Sequence, residues 1–130
     1  MTMKTERMTV EEMTIMQEYV LIPHMLTMVN NAIDDLKHSK GFMNPLYLVA
    51  AYRLYDLIER DRKRLRREMD RRRISIMPDD QRDMVIYHKV ICRGYEERFG
   101  VIREVMRSRI RVKMTEYMEK IDKMLSRLAT

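Results

Sequence analysis

Apolar side chains recur at intervals of three and four residues along most of the chain, the spacing of one face of an α-helix. The first such run covers residues 10–36, and Thr9 with Glu12 has the spacing of a capping box at its start. Because Pro23 lacks a backbone donor, we expect this run to break or bend just before it. Residues 1–8 carry no apolar period and are predicted to form a flexible tail.

A second helical run begins at Asn44 and Pro45, which match a helix N-cap followed by proline at the first helical position. Its apolar period predicts a helix that continues to about Arg73. Beyond it, Asp79 and Asp80 suit the first turn of another helix, where the helix dipole favours negative charge.

The C-terminal part of the chain carries one long apolar stripe, which runs from Met84 to Leu128. Its mean step of about 3.67 residues keeps it on one side of a straight helix, and the phase is preserved across Gly94 and Gly100. A single helix over residues 79–127 would be roughly 70 Å long, about twice the width of a compact domain of this length. Two alternatives stay open: the helix breaks at Gly100, or it projects and packs against another copy of the chain.

These patterns predict an all-α protein, an open bundle of about four helices with a long C-terminal helix, completed by oligomerisation. The composition fits one helical domain over residues 9–130, because 45% of the 130 residues are hydrophobic, 35% are charged, and glycine and proline number three each. No apolar stretch approaches the roughly 18 residues that span a bilayer, and one cysteine forms no internal disulfide. We therefore expect an intracellular, soluble protein with no membrane contact.

Positive charge is concentrated on one side of the second helical run. The chain has 26 basic and 20 acidic residues, a formal charge of +6. On a helical wheel, six cations fall in the sector between about 140° and 240° from Ile58, and Asp56 is the one carboxylate in that sector. Along the helix axis, these cations extend over about 27 Å. These cations are Arg53, Arg60, Lys63, Arg64, Arg67 and Arg71. A second row, spaced by four residues in the C-terminal run, consists of Arg103, Arg107 and Arg111.

Rows of arginine are typical of surfaces that bind phosphate, because the guanidinium group can donate two hydrogen bonds to one phosphate. We therefore expect a non-enzymatic, architectural nucleic-acid-binding protein in which these cations contact the backbone of DNA more than of RNA. It would act as a packaging, coat or chromatin-like component, within a nucleoprotein particle. The long C-terminal helix would supply the contact in a homo- or hetero-oligomer.

Two other interpretations of the basic run stay open. It can be a solvated face, because oppositely charged residues also recur at the i,i+4 spacing of helical ion pairs. These pairs are Glu59 with Lys63, Arg64 with Glu68, and Arg66 with Asp70. Alternatively, the protein is a small regulator that binds an acidic protein partner through this face.

Catalytic and metal-binding chemistry has little support in the sequence. His88 and Cys92 would lie one turn apart on a helix, but two ligands do not make a metal site. The sequence contains no glycine-rich phosphate loop and no HExxH motif. We therefore expect no catalytic residue, no metal site and no cofactor.

Overall fold

The computed structural model describes residues 8–129, which form four helices and one antiparallel sheet. The first three helices are α1 (Val10–Tyr19), α2 (Ile22–His38) and α3 (Asn44–Arg71). Three strands follow as a meander, β1 (Ile74–Gln81), β2 (Val85–Cys92) and β3 (Tyr95–Ile102), before α4 (Arg103–Ala129). The sheet order is β1-β2-β3, so β2 lies at its centre.

The first two helices begin and end close to the predicted positions. The Glu12 backbone N–H donates to the Thr9 hydroxyl and the Thr9 N–H donates to the Glu12 carboxylate, which confirms the capping box. α1 ends at Tyr19 and α2 begins at Ile22 with Pro23 in its first turn, which confirms the break. The predicted tail lies outside the described residues except for its last residue.

The all-α prediction is wrong, because residues 74–102 form a sheet and the C-terminal helix begins only at Arg103. The described part of the chain is therefore a mixed α and β domain and not a helical bundle. In β2 the buried residues Ile86, Val90 and Cys92 lie on one face of the strand. Residues four apart share a face in a strand as they do in a helix, so much of the apolar stripe fits both structures.

Side-chain shape decides between these two structures in β2. Four of its eight residues are valine or isoleucine, whose branching at Cβ packs well on a pleated sheet and restricts the side chain in a helix. Arg93 and Gly94 then form a two-residue turn with φ of 49° and 88°, the left-handed conformation that tight hairpins require. Asp79 and Asp80, predicted to begin a helix, lie instead where the register of β1 against β2 shifts.

Two buried clusters attach the helices to one side of the sheet. The larger cluster joins α2, α3 and α4 to β2 and β3, with Met25, Ile58 and Ile110 among its members. The smaller cluster joins α1 and the end of α3 to the sheet and consists of Met16, Met69, Ile74, Val90 and Cys92. α3 contributes to both clusters through one face, so its opposite face points to solvent. Over residues 8–129 no helix is long and apolar enough to cross a membrane.

Candidate nucleic-acid interface

The cations predicted on the second helical run all lie on the solvent side of α3. The buried residues of this helix, Ile58, Leu65 and Met69, face the core. All of the cations on the opposite side are exposed: Arg53, Arg60, Lys63, Arg64, Arg67 and Arg71. At the rise of an α-helix they extend over about 27 Å.

These cations differ in their ion pairs. Arg64 Nε lies 3.5 Å from Asp61 Oδ1, and Arg71 is hydrogen-bonded to Glu68. For the other four, no carboxylate among residues 8–129 lies at ion-pair distance. We call these four the unpaired row: Arg53, Arg60, Lys63 and Arg67.

Glu59, whose spacing predicts an ion pair with Lys63 of the unpaired row, pairs with Arg62 instead. Glu59 accepts hydrogen bonds of 2.7 and 3.0 Å from Arg62 and makes none with Lys63. These bonds, together with the nearby charge of Lys63, lower the pKa of Glu59. Of the predicted i,i+4 pairs, Arg66 with Asp70 is present, at 3.4 Å.

Glu68 likewise binds neighbours other than the predicted Arg64. Its carboxylate accepts hydrogen bonds from Arg71 and Arg72, which lower the pKa of Glu68 to about 2. Glu59 and Glu68 are therefore engaged by arginines outside the unpaired row.

The second row of arginines lies on α4 beside α2. Arg103 is half-buried and its Nη2 donates a 3.3 Å hydrogen bond to Gln81 Oε1, whereas Arg107 and Arg111 are exposed. Arg103 and Arg107 line a pocket together with Thr27 of α2. This row therefore flanks α2 and does not extend the unpaired row.

A polar contact joins α4 to α3. The Tyr117 side chain is buried and its hydroxyl donates a hydrogen bond to Asp61, which also pairs with Arg64. Burial and the Asp61 carboxylate together raise the pKa of Tyr117. Asp61 and Tyr117 line a pocket together with three lysines that were not predicted as site residues: Lys113, Lys120 and Lys123. Glu116 and Glu119 line the same pocket and balance part of their charge.

A buried ion-pair network holds the end of α3 against the sheet, and sequence analysis missed it as well. Glu12 is 3% exposed and its carboxylate accepts hydrogen bonds of 3.0 and 3.1 Å from Arg93 and 3.4 Å from Arg72. Burial alone would raise the pKa of Glu12, but the hydrogen bonds from Arg93 and from the Thr9 N–H outweigh it, so the pKa is lowered. The network ties α1, α3 and the β2–β3 turn together.

A helix would have placed His88 and Cys92 one turn apart, but the structure does not bring them together. They lie four residues apart in β2, about 13 Å along the strand. His88 stacks on Phe99 with ring centroids 5.4 Å apart, and burial lowers its pKa. Burial also raises the pKa of the Cys92 thiol. Within the described residues, no three His, Cys, Asp or Glu side chains are placed to hold a metal ion.

The fold and its surface define a small α and β protein with one long basic helix face. A family model described as YhjD protein matches residues 7–122, which include α1 to β3 and most of α4. The chain therefore belongs to the YhjD family. No curated protein and no solved structure matches the chain. The family description names no function, so the predicted packaging, coat or chromatin-like role stays a prediction.

Proposed function

We propose that the protein binds the phosphate backbone of nucleic acid through the unpaired row on α3. The observation that carries this proposal is the row itself: four exposed cations along about 21 Å of one helix face, without a carboxylate at ion-pair distance in the described chain. Asp56 lies in the same sector, but no ion pair joins it to these cations.

The pairing pattern supports binding over a merely solvated face. On a solvated face the acids and bases of a helix neutralise one another at i,i+3 and i,i+4 spacing. On α3 such pairs use Arg62, Arg66, Arg71 and Arg72, and among residues 8–129 they leave the row without a carboxylate at ion-pair distance. These cations can then contact phosphates, and the counterions that are released from the nucleic acid favour binding.

We propose duplex DNA as the form of nucleic acid that the unpaired row contacts. A duplex carries one negative charge for about every 1.7 Å of its axis when both strands are counted, so about 21 Å of its axis carries roughly twelve phosphate charges, more than the four cations of the row. Backbone contacts carry no direct sequence information, so binding is expected to be independent of base sequence.

Two double variants of equal charge test this proposal. Arg60→Gln with Arg67→Gln removes two cations of the unpaired row, whereas Arg66→Gln with Arg71→Gln removes two arginines of the same helix that are already paired. With a fluorescent duplex at low salt, the first variant should bind at least about tenfold more weakly than the wild type, and the second within about twofold.

Two results would contradict the proposal. Equal weakening of both variants would show that net charge and not the unpaired row governs binding. Failure of the wild type to bind duplex DNA at low salt would remove the proposal and leave an acidic protein partner as the alternative. Circular dichroism of each variant establishes that α3 is still folded.

A further inference from the structure

A pocket of about 290 Å³ lies between the first two turns of α2 and the first two turns of α4. Part of its lining is apolar and buried, and this part comes from β2 and α4: Ile86, Met106 and Ile110. The polar part of its lining comes from α2 and α4: His24, Thr27, Arg103 and Arg107. We call this cavity the α2–α4 pocket. It therefore combines an apolar wall with two guanidinium groups.

The positive charge of the α2–α4 pocket has no counter-charge in the described part of the chain. Arg103 Nη2 donates a 3.3 Å hydrogen bond to the neutral amide of Gln81, and among residues 8–129 no carboxylate lies at ion-pair distance from Arg103 or Arg107. The acidic residue in the first turn of α4, Glu104, is exposed and does not line the pocket. Arg103 is half-buried, so part of its hydration is lost and a bound anion would replace it.

The local geometry lets both arginines contact the same anion. Arg103 and Arg107 are one helical turn apart, which places their Cβ atoms about 5–6 Å from each other. The start of α4 also contributes the positive end of its helix dipole. Burial and the positive charge of Arg103 lower the pKa of His24, so its imidazole is neutral at pH 7 and can serve as a hydrogen-bonding group. The charge to be balanced is therefore that of two guanidinium groups.

We propose that the α2–α4 pocket binds a small phosphate monoester whose organic part is apolar. A monoester carries a charge of about −1.5 to −2 at pH 7, which matches two guanidinium groups better than the single charge of a carboxylate or a phosphodiester. The apolar wall can cover the organic part of the ligand. Because the volume is close to the lower limit of about 300 Å³ for ligand pockets, this part is about one ring in size. The pocket lies on α2 and α4, whereas the unpaired row lies on α3, so the inference does not depend on the proposed function.

Three probes test which ligand the pocket takes: phenyl phosphate, inorganic phosphate and benzoate. Each is titrated into the full chain at about pH 7.5 and about 50 mM salt, and binding is followed by NMR chemical shifts. Phenyl phosphate should bind with a dissociation constant below about 1 mM. Inorganic phosphate lacks the apolar ring and benzoate lacks the second charge, so each should bind at least about tenfold more weakly. No binding of phenyl phosphate at about 1 mM would overturn the inference, as would equal binding of either other probe.

A pair of single variants on α4 tests whether the pocket is the binding site. Arg107→Gln removes an exposed arginine that lines the pocket, and it should weaken the binding of phenyl phosphate at least about tenfold, because a hydrogen bond between charged groups is lost. The matched control is Arg111→Gln, one turn further along α4, which is also exposed but does not line the pocket. Its affinity should stay within about twofold of the wild type. Equal weakening in both variants would show that net charge and not the pocket binds the ligand, and would overturn the inference.

The same titration locates the ligand and separates this site from the unpaired row. The imidazole signals of His24 should shift when phenyl phosphate is added, whereas those of His38, the last residue of α2, should not. The double variant Arg60→Gln with Arg67→Gln should bind phenyl phosphate as the wild type does. Unchanged His24 signals, or loss of binding in this double variant, would overturn the inference. Because duplex DNA is absent from the titration, failure of this site is distinct from failure of the proposed function.

Discussion

The Glu12 network offers a sharp test of how α1, α3 and the sheet hold together. Glu12→Gln keeps the shape of the side chain but removes the charge that pairs with Arg93 and Arg72. Arg72 retains its pairs with Glu68 and Glu11, whose nearer oxygens lie 2.8 and 3.1 Å away. Removing one partner of a buried ion pair costs about 3–5 kcal/mol. The Arg93 and Arg72 side chains are 20% and 19% exposed, so water partly screens them. We therefore expect a loss of stability at the lower end of this range, about 3 kcal/mol.

Urea unfolding at neutral pH measures this loss, and Glu11→Gln provides the matched control. Glu11 is the neighbouring residue, and its exposed carboxylate contacts the same Arg72, so its substitution should cost less than about 1 kcal/mol. With a urea m-value of about 1–3 kcal/mol per M, the Glu12 variant should lose about 1–3 M in its midpoint. A loss equal to that of the Glu11 variant would refute the claim that the network is a buried anchor.

The same variant should change how stability depends on pH. The folded pKa of Glu12 lies below its ordinary value of 4.5, so the network stabilises the fold fully above that pH. This contribution is lost as the pH falls through the folded pKa, because the protonated carboxyl no longer pairs with arginine. The difference in stability between wild type and Glu12→Gln should therefore shrink below about pH 4.

Three further substitutions test other parts of the structure, each by urea unfolding. Tyr117→Phe removes the hydrogen bond to Asp61 and should cost about 1.5–3 kcal/mol, and an unchanged midpoint would mean that this bond does not hold α4. His88→Phe removes a half-buried imidazole whose pKa is lowered by burial, and a lowered histidine pKa makes the wild type lose stability as the pH falls below 6.5. The His88 variant should lose less stability than the wild type between about pH 7 and pH 5, and an equal loss would count against a lowered pKa of His88. Gly94→Ala should cost about 1 kcal/mol because φ is 88° and the added Cβ meets nothing within 4 Å, whereas Gly94→Asn should cost less. Equal costs for the two Gly94 substitutions would show that the left-handed backbone is not the cause.

The helical part of the fold could be predicted because its signals are local. The Thr9 and Glu12 capping box, Pro23 and Pro45 act within one turn of the chain, so no distant contact is needed to interpret them. The sheet was missed because its apolar residues also fit a helical stripe. The branched side chains of β2 and the Arg93–Gly94 turn were the available evidence against a helix.

Part of the candidate site could likewise be predicted from local sequence signals, and part could not. The basic face of α3 follows from the helical wheel once the helix is known, whereas the choice of ion pairs does not, because each carboxylate has several basic neighbours within reach. Glu59 has both Arg62 and Lys63 nearby, and only side-chain packing decides between them. The Glu12 network joins residues 60 and 81 positions apart, so spacing along the chain gives no sign of it.

The central claim is that the four cations of the unpaired row are available to phosphates, and the salt dependence of DNA binding tests it most directly. The logarithm of the binding constant falls with the logarithm of salt by about 0.9 for each phosphate neutralised. Four contacts predict a slope of about −3.6, so the affinity of the wild type should fall about 150-fold between 50 and 200 mM salt. Replacing all four cations by glutamine should bring the slope close to zero. A wild-type slope near zero, or the same slope in the wild type and the fourfold variant, would contradict the account.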